Sequence, residues 1–368
     1  MNIQISYPSL KYHKLHKNGI NPFLSPGLYR CILYFIMVKY ILFDFYYFNG
    51  VELMSNQDII KSIVSNIEKV IIGKTPEIHQ ILKGIFAGGH ILIEDVPGVG
   101  KTTLVKALAK SLNLTYSRIQ FTPDLLPSDI LGVSIYNKNT GGFEFKKGPV
   151  FANIILADEI NRTSPKTQSA LLEVMEESQI SEGNNTYYLQ KPFIVLATQN
   201  PVEYQGTFNL PEAQLDRFMI KTRIGYTDEK SESDILQTYS NREPLCDIGK
   251  VAEAGDIIDI QNIVRNIKIS RSITEYIVRI ANATRESKYI TLGASTRASM
   301  ALLRIAQSSA FLDNRDFVIP EDVKSNAPAV LSHRITISSL ARANGLDGEK
   351  IIKEILDKTY APRVYLND

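Results

Sequence analysis

The sequence contains little of what builds disulfide frameworks or metal centres. Its 368 residues include only two cysteines and no tryptophan. The cysteines, Cys31 and Cys246, are far apart and lack CxxC spacing, which disfavours a disulfide scaffold and favours a reducing, cytoplasmic location. The five histidines are scattered, and no group of His, Cys and Asp has metal-ligand spacing. Any metal is therefore expected to bind together with a ligand.

A strong excess of one charge is also absent. The chain has 41 basic and 39 acidic residues, a net charge of +2, so its bulk charge predicts no affinity for nucleic acid or for a membrane surface. Hydrophobic residues make up 44% and charged residues 22%, which is ordinary for a soluble globular protein. The length suits about two domains.

The first 53 residues differ from the rest. They are rich in Tyr, Phe, Ile, Lys and Asn, and their only acids are Asp44 and Glu52. The apolar run Cys31–Phe48 has 18 residues but is interrupted by Lys39 and Asp44. Because this length is marginal for a membrane span and central charges are costly, stable membrane insertion is not expected.

Three interpretations of residues 1–53 stay open: a signal anchor, a buried helical extension, or a leader that is not part of the native protein. We favour the leader, which would make this segment a non-native extension. Met54 opens an amphipathic helix pattern, with Ser55 as a cap and Asp58 three residues further on. The preceding Gly50-Val51 can be encoded with a GGAG ribosome-binding core at a suitable distance from a start codon. Without the segment, 36 of the 41 basic and 37 of the 39 acidic residues remain.

The segment Glu94–Thr103, EDVPGVGKTT, nearly matches the phosphate-binding loop G-x-x-x-x-G-K-[ST], with Asp95 in place of the first glycine. A strand-type run, His90–Glu94, precedes it. The apolar stripe of a helix follows, formed by Leu104, Ala107, Leu108 and Leu112. This strand–loop–helix context is the one in which such a loop binds phosphate.

Each polar residue of the loop has an expected role. Gly98 and Gly100 turn backbone N–H groups toward a phosphate, Lys101 reaches the terminal phosphates, and the Thr102 hydroxyl ligates Mg²⁺. The replacement of the motif glycine by Asp95 is expected to cost little free energy, because Asp tolerates a left-handed backbone and bonds its own turn. The predicted nucleotide-binding residues are Pro97, Gly98, Val99, Gly100, Lys101, Thr102 and Thr103.

Two further apolar runs end in polar side chains. The run Ile154–Ala157 is typical of a buried parallel strand and is followed by Asp158 and Glu159. Next to a phosphate-binding loop, we expect Asp158 to hold Mg²⁺ through water and Glu159 to orient the attacking water; a helix cap is the alternative. A third strand, from Phe193, ends at Asn200-Pro201. Open α/β sheets bind ligands at the carboxyl ends of their strands, which favours a phosphate-sensing Asn200 over a simple turn residue.

Two arginines are candidate site residues, but the sequence pattern alone does not assign a role to either of them. Arg217 in LPEAQLDRF is either structural or a finger that stabilises charge on the γ-phosphate. Arg297 lies in the first turn of a predicted helix, where a cation opposes the helix dipole. A cation at that position indicates a phosphate partner.

Together these blocks resemble the AAA+ ATPases and, within them, the MoxR family, over essentially Met54–Asp368. The phosphate-binding loop is specific only to the class, whereas FTPDLLPSD and LPEAQLDRF are specific to MoxR-type proteins. The resemblance implies that Asn200 is sensor 1, that Arg217 is the arginine finger given to a neighbouring subunit, and that Arg297 is sensor 2, serving its own nucleotide or a neighbour's. It also implies that Ile72 and Gly73 line the adenine pocket.

The resemblance further implies an α/β fold: a P-loop AAA+ core with a five-stranded parallel sheet flanked by helices, followed by an all-α helical lid domain. Residues 54–225 would form the core, 226–250 a connecting helix and linker, and 251–368 the lid. Two family insertions match the segments 131–151, a hairpin candidate with Gly141-Gly142 at its tip, and 178–193, with a turn near residues 183–185.

The implied activity is hydrolysis of ATP with Mg²⁺ by a ring, most often hexameric, that remodels, assembles or activates client protein complexes or loads their metal, often with a von Willebrand A-type partner. The alternatives are a DNA-associated, helicase-like motor, a magnesium-chelatase-like motor subunit and a scaffold without turnover. Lys138, Lys146 and Lys147 are too small a cluster to predict a nucleic-acid partner.

The start-site hypothesis predicts a mass. Protein expressed from the native locus should begin at Met54, or at Ser55 after removal of the methionine. Mass spectrometry of the intact chain and of its amino-terminal peptide measures this. A peptide from residues 1–53 in that sample would contradict the hypothesis.

Overall fold

A computed structural model describes residues 56–183, 185–201, 208, 210–241 and 244–363. The apolar run Cys31–Phe48, the start at Met54 and the Ser55 cap lie outside these residues. No helix within the described ranges is long and apolar enough to cross a membrane.

The strands form one parallel sheet and three small antiparallel pairs. They are β1 His90–Glu94, β2 Tyr116–Gln120, β3 Gly132–Asn137, β4 Gly142–Lys147, β5 Ile154–Asp158, β6 Gln179–Glu182, β7 Asn185–Tyr188, β8 Ile194–Gln199, β9 Phe218–Thr222, β10 Ile290–Leu292 and β11 Thr336–Ile337. The main sheet has five strands in the order β2-β5-β8-β1-β9, and every neighbouring pair is parallel. The predicted five-stranded parallel sheet is confirmed, and the three strands expected from the apolar runs are β1, β5 and β8.

Helices flank the sheet and continue beyond it. They are α1 Asn56–Glu68, α2 Thr75–Phe86, α3 Lys101–Ser111, α4 Pro127–Leu131, α5 Pro165–Glu177, α6 Glu212–Leu215, α7 Glu229–Asn241, α8 Ala254–Arg265, α9 Arg271–Glu286, α10 Thr296–Leu312, α11 Pro320–Leu331, α12 Ser339–Ala343 and α13 Gly348–Lys358. The last six lie in the segment 251–368 that was expected to form the lid, and the short pair β10–β11 lies in the same segment.

Alternating residues of the strands pack into two separate hydrophobic cores. Ile91 and Ile93 of β1 belong to one cluster, whereas Leu92 between them belongs to the other, as expected from the two-residue period of a strand. The first cluster contains residues of α1, α2 and α3 together with buried residues of α8–α11. Helices α8–α11 therefore share one continuous hydrophobic core with that face of the sheet. The second cluster packs the opposite face against α4 and α5.

Both expected insertions form antiparallel hairpins. In the first, β3 pairs with β4 from Gly132↔Lys147 to Asn137↔Gly142, with Gly141 at a φ of 68° in the turn. In the second, β6 pairs with β7, and Gly183 has a φ of 59°. The hairpins contact each other, because the rings of Phe145 and Tyr187 stack with 4.4 Å between their centroids.

His90, the first residue of β1, is partly buried, and both of its ring nitrogens are bonded. Its Nε2 is 3.1 Å from the Met175 carbonyl oxygen, and its Nδ1 accepts the Val195 N–H at 3.0 Å. These partners require a neutral ring that carries its proton on Nε2. Burial lowers the pKa of His90 to about 4, against the opposing effect of the bond to Met175.

This lowered pKa predicts an acid-sensitive fold. The unfolded chain has the higher pKa, so it takes up a proton first, and stability is lost as the pH falls from about 6.5 toward about 4. The variant His90→Gln should lack this contribution, which reaches about 1.4 kcal/mol per pH unit. Urea unfolding at pH 7 and pH 5 measures it.

The variant His79→Gln removes a partly exposed histidine and should keep the wild-type pH dependence. If His90→Gln loses as much stability between pH 7 and pH 5 as the wild type does, the titration of His90 is not the cause.

Candidate nucleotide-binding site

The loop between β1 and α3 has the backbone that its sequence predicts. Gly98 has a φ of 89° and Gly100 a φ of 85°, left-handed values that glycine adopts without steric strain. Helix α3 begins at Lys101, directly after Gly100. The helix N-terminus adds partial positive charge beside the loop.

Lys101 connects the loop to the acidic strand end. Its Nζ donates to the carbonyl oxygens of Asp95 at 2.8 Å and Val96 at 3.0 Å. Burial lowers its pKa, while the charges of Asp95, Asp158 and Glu159 act in the opposite direction. The two acids at the end of β5 therefore lie close enough to the loop lysine for their charges to act on it.

Asp95 does more than the sequence suggested. Its Oδ1 accepts the Val96 N–H at 2.9 Å, which confirms the bond to its own turn. Asp95 is not among the residues with a positive φ, so the tolerance of Asp for a left-handed backbone is not used here. Its Oδ2 accepts the N–H groups of Ile224 at 2.8 Å and Gly225 at 2.6 Å. The side chain therefore ties the loop to the chain that follows β9.

Asp158 is held from two sides. Arg118 on β2 donates to Asp158 Oδ2 through Nη2 at 2.6 Å and Nε at 3.1 Å. The Thr198 hydroxyl on β8 donates to Asp158 Oδ1 at 2.6 Å. Asp158 is 8% exposed. Its carboxylate oxygens keep further lone pairs, which could accept from a water bound to Mg²⁺.

Glu159 has an unusual backbone. Its φ of 57° and ψ of 50° are left-handed, and its N–H donates to the Thr198 hydroxyl at 2.8 Å. The carboxylate accepts from Gln120 Nε2 at 2.8 Å and pairs with Arg162 at 3.0 Å. Glu159 stands at the N-cap position of the short 3₁₀ helix Ile160–Arg162, but its side chain makes no cap bond, which disfavours the helix-cap alternative for this carboxylate. A non-glycine residue held in this conformation is typical of functional sites.

Sequence reasoning missed Arg118, Gln120 and Thr198. No motif marks them, because their contacts depend on strand register. Gln120 of β2 lies opposite Asp158 of β5, and Arg118 lies on the same face of β2 two residues earlier. The alternation of Arg118 and Gln120 on a strand next to the acids was the available signal, but the strand order was needed to use it.

Asn200 lies at the tip of β8, between the loop and the acids. It is 6% exposed, and the preceding Gln199 accepts the Asp95 N–H at 3.0 Å through its carbonyl oxygen. Since β8 pairs with both β1 and β5, the three strand ends meet at one edge of the sheet. The structure therefore brings the loop, Asp158, Glu159 and Asn200 together.

The loop opens into a cavity of about 320 Å³. It is lined by residues of the α1–α2 connection, the loop and α7, among them Ile72, Gly98, Gly100, Thr227, Ile235 and Tyr239. Gly73, at a φ of 73°, lies so close to α7 that a β-carbon there would be 2.3 Å from Ser231 Oγ. This arrangement fits a nucleotide. The base would occupy the apolar cavity, and the phosphates would bind the glycine-rich loop and Lys101.

Arg217 and Arg297 lie in another cavity, of about 250 Å³. Both pair with the same carboxylate, Glu176 near the end of α5: Arg217 Nε at 3.1 Å, and Arg297 through Nη2. Arg297 is in the first turn of α10, as expected, but the anion it binds within this chain is a carboxylate. The residues that line this cavity do not include those that line the loop cavity.

This fold and site define a AAA ATPase. The family described as "ATPase family associated with various cellular activities (AAA)" matches residues 90–220, and a AAA lid domain matches residues 282–355. Both the sheet-containing segment and the helical segment that follows it therefore match domains of AAA ATPases.

Three relatives narrow the class. The chain is 38% identical over 314 residues to Chaperone MoxR1 of Mycobacterium tuberculosis, covering 83% of each chain. It is 48% identical over 304 residues to the uncharacterised protein YeaC of Bacillus subtilis, covering 83% of this chain and 95% of YeaC. A crystal structure of a protein from Cytophaga hutchinsonii is similar at a TM-score of 0.78 and 46% identity, over 84% of this chain and 96% of that one. The chain belongs to the MoxR family of AAA+ ATPases.

The double role of Thr198 predicts a sharp effect. Thr198→Val keeps the shape but removes the donor to Asp158 Oδ1 and the acceptor of the Glu159 N–H, while Arg118 still donates to Oδ2. Loss of such an outer partner of a metal ligand typically costs about 10- to 100-fold in activity or metal affinity, so ATP turnover should fall by that factor. Turnover at saturating ATP and Mg²⁺ measures it.

Thr198→Ser keeps the hydroxyl and should retain most of the activity. Thermal unfolding of both variants controls for general damage. Wild-type turnover by Thr198→Val would mean that the hydroxyl does not position the two acids.

Proposed function

We propose that this protein hydrolyses ATP in a ring of identical subunits and uses the energy to remodel or activate client protein complexes in the cytoplasm. The observation that supports hydrolysis best is the meeting of Lys101, Asp158 and Glu159 at one edge of the sheet. A scaffold that only bound nucleotide would not need Glu159 held in a left-handed conformation by Thr198.

In this proposal each polar group has one task. The loop backbone and Lys101 bind the β- and γ-phosphates, which requires Lys101 to leave the carbonyls of Asp95 and Val96. Thr102 and Asp158 hold Mg²⁺, which neutralises charge on the phosphates when it is bound. Glu159 orients the water that attacks the γ-phosphorus as the bond to the leaving oxygen of ADP breaks.

The position of the two arginines supports a shared active site. Arg217 and Arg297 line a cavity different from that of the loop, which favours a role outside the nucleotide site of their own chain. We propose that both act on the nucleotide of a neighbouring subunit, after exchanging Glu176 for phosphate. Hydrolysis would then depend on assembly, for which a hexamer is the family's usual form.

Exposed aromatic side chains on the two hairpins support a protein client. Phe143 is 76%, Tyr136 53% and Tyr188 75% exposed, and the rings of Tyr136 and Phe143 are 5.4 Å apart. Protein interfaces are enriched in such residues. A client complex, with a von Willebrand A-type protein as an accessory partner, is therefore favoured over nucleic acid.

A mixing experiment tests the shared site. Arg217→Ala and Glu159→Gln chains should each bind ATP and hydrolyse it poorly, since an arginine finger contributes about 10³- to 10⁵-fold. Mixed together, they should regain activity, because Arg217 of a Glu159→Gln chain completes the intact site of an Arg217→Ala neighbour. The phosphate release rate of the mixture, compared with the sum of the two separate rates, measures this.

Two controls make the result decisive. Wild-type specific activity should rise and then saturate with protein concentration, and sizing at each concentration should follow the same curve. A second mixture, in which Arg297→Ala chains take the place of the Arg217→Ala chains, shows whether Arg297 also acts across the interface. Sizing must show that the variants co-assemble; a mixture that does so and is no more active than its parts would contradict the shared site, and a wild type without ATP turnover would contradict the proposed hydrolysis.

A further inference from the structure

The segment that follows β9 carries one wall of the loop cavity. It leads into α7, whose Ile235 and Tyr239 line the cavity together with Thr227. Among residues 229–240 of α7 none is buried, and Leu236 is 67% exposed. Because burial of an apolar face usually holds a helix in place, α7 is expected to depend more than a buried helix on its other contacts.

Three contacts anchor its amino-terminal side. Lys74, 8% exposed, donates from Nζ to the Tyr226 carbonyl oxygen at 2.8 Å. Gly73 approaches Ser231 so closely that only glycine fits there. The Asp95 carboxylate accepts the successive N–H groups of Ile224 and Gly225.

The Asp95 contact differs from the other two because one carboxylate oxygen accepts two N–H groups. It is a charged acceptor, 7% exposed, and it binds two successive N–H groups, with Gly225 at a φ of 67°. Such a pair forms a concave site for an anion, and hydrogen bonds to charged groups are about twice as strong as neutral ones. Ile224 is 3% exposed, so its N–H has no ready replacement by water.

The same residue belongs to the phosphate-binding loop. The Asp95 carbonyl oxygen accepts from Lys101, and its N–H donates to Gln199 at the end of β8. One residue therefore contacts the loop lysine, the strand that precedes Asn200, and the segment that leads into α7. The glycine of the usual motif has no side chain with which to make the last contact.

We propose that Asp95 is a positioning residue for the nucleoside half of ATP. Its carboxylate fixes the segment 224–225, and through it the wall formed by α7, at the correct distance from the loop. The phosphates contact the loop itself and do not need this wall. The inference rests on the proposed function, since it assumes that the cavity binds ATP.

The proposal predicts a change in selectivity between two ligands. The ligands are MgATP and inorganic tripolyphosphate with Mg²⁺, which lacks the nucleoside, and calorimetry on the full chain measures both dissociation constants. Asp95→Gly, which restores the motif glycine, should raise the constant for ATP about tenfold, the equivalent of one hydrogen bond to a charged group. The constant for tripolyphosphate should stay within twofold.

Asp95→Asn serves as the conservative variant. Its amide oxygen can still accept from Ile224 and Gly225, while its NH₂ group opposes the Val96 N–H, so an intermediate loss of ATP affinity is expected. If Asp95→Gly does not fold, Asp95→Asn tests the same role through the ratio of the two dissociation constants, for ATP and for tripolyphosphate. The variant Asp322→Asn is the matched control: Asp322 is 3% exposed and accepts the Ile319 N–H at 2.9 Å in the lid. It should not change the ratio between the two ligands.

Hydrogen exchange gives a second readout that does not depend on ligand. In Asp95→Gly the amides of residues 224–241 should exchange faster, while those of α3 keep their rates. Equal weakening of both ligands, or unchanged ATP binding with unchanged exchange, would overturn the role of Asp95. A wild-type chain that binds tripolyphosphate but not ATP would instead contradict the proposed function, which keeps the two failures distinguishable.

Discussion

The parallel pairing of β8 between β1 and β5 is the constraint on which the site depends. Each of these strands ends at the same edge of the sheet, so the loop after β1, the acids after β5 and Asn200 after β8 meet there. The strand in the middle also supplies Thr198, which accepts the N–H of Glu159 and donates to Asp158. A shift of one residue in this pairing would turn Thr198 to the other face and separate it from both acids.

Every candidate functional charge already has a partner within the chain. Lys101 binds two carbonyl oxygens, Asp158 binds Arg118, and Arg217 and Arg297 share Glu176. The physical reason is that an unpaired charge in a partly buried place is costly. In the proposed function, ligands and neighbouring subunits exchange partners with these groups, which would link nucleotide binding to movement of the loop, and assembly to movement of the two arginines.

Much of the fold follows from local pattern. The apolar runs that predicted strands at His90, Ile154 and Phe193 correspond to β1, β5 and β8, with the last beginning one residue later, at Ile194. The glycines of both hairpin turns adopt the left-handed backbone for which glycine is suited. Local pattern does not give the packing of the lid on the sheet, because the shared core of α1–α3 and α8–α11 is built from residues far apart in the sequence.

The sequence by itself determined the loop, the paired acids and the family, because these depend on residue types at short, regular spacings. The tertiary structure alone decided which group holds each charge. Asp95 binds amides 129 and 130 residues away, and Arg297 binds a carboxylate 121 residues away. Strand order, strand register and the packing of the lid bring such residues together, and none of these is encoded in a local pattern. For this reason Asp95 looked in the sequence like a harmless substitution, and only the folded chain shows that it holds the segment leading to α7.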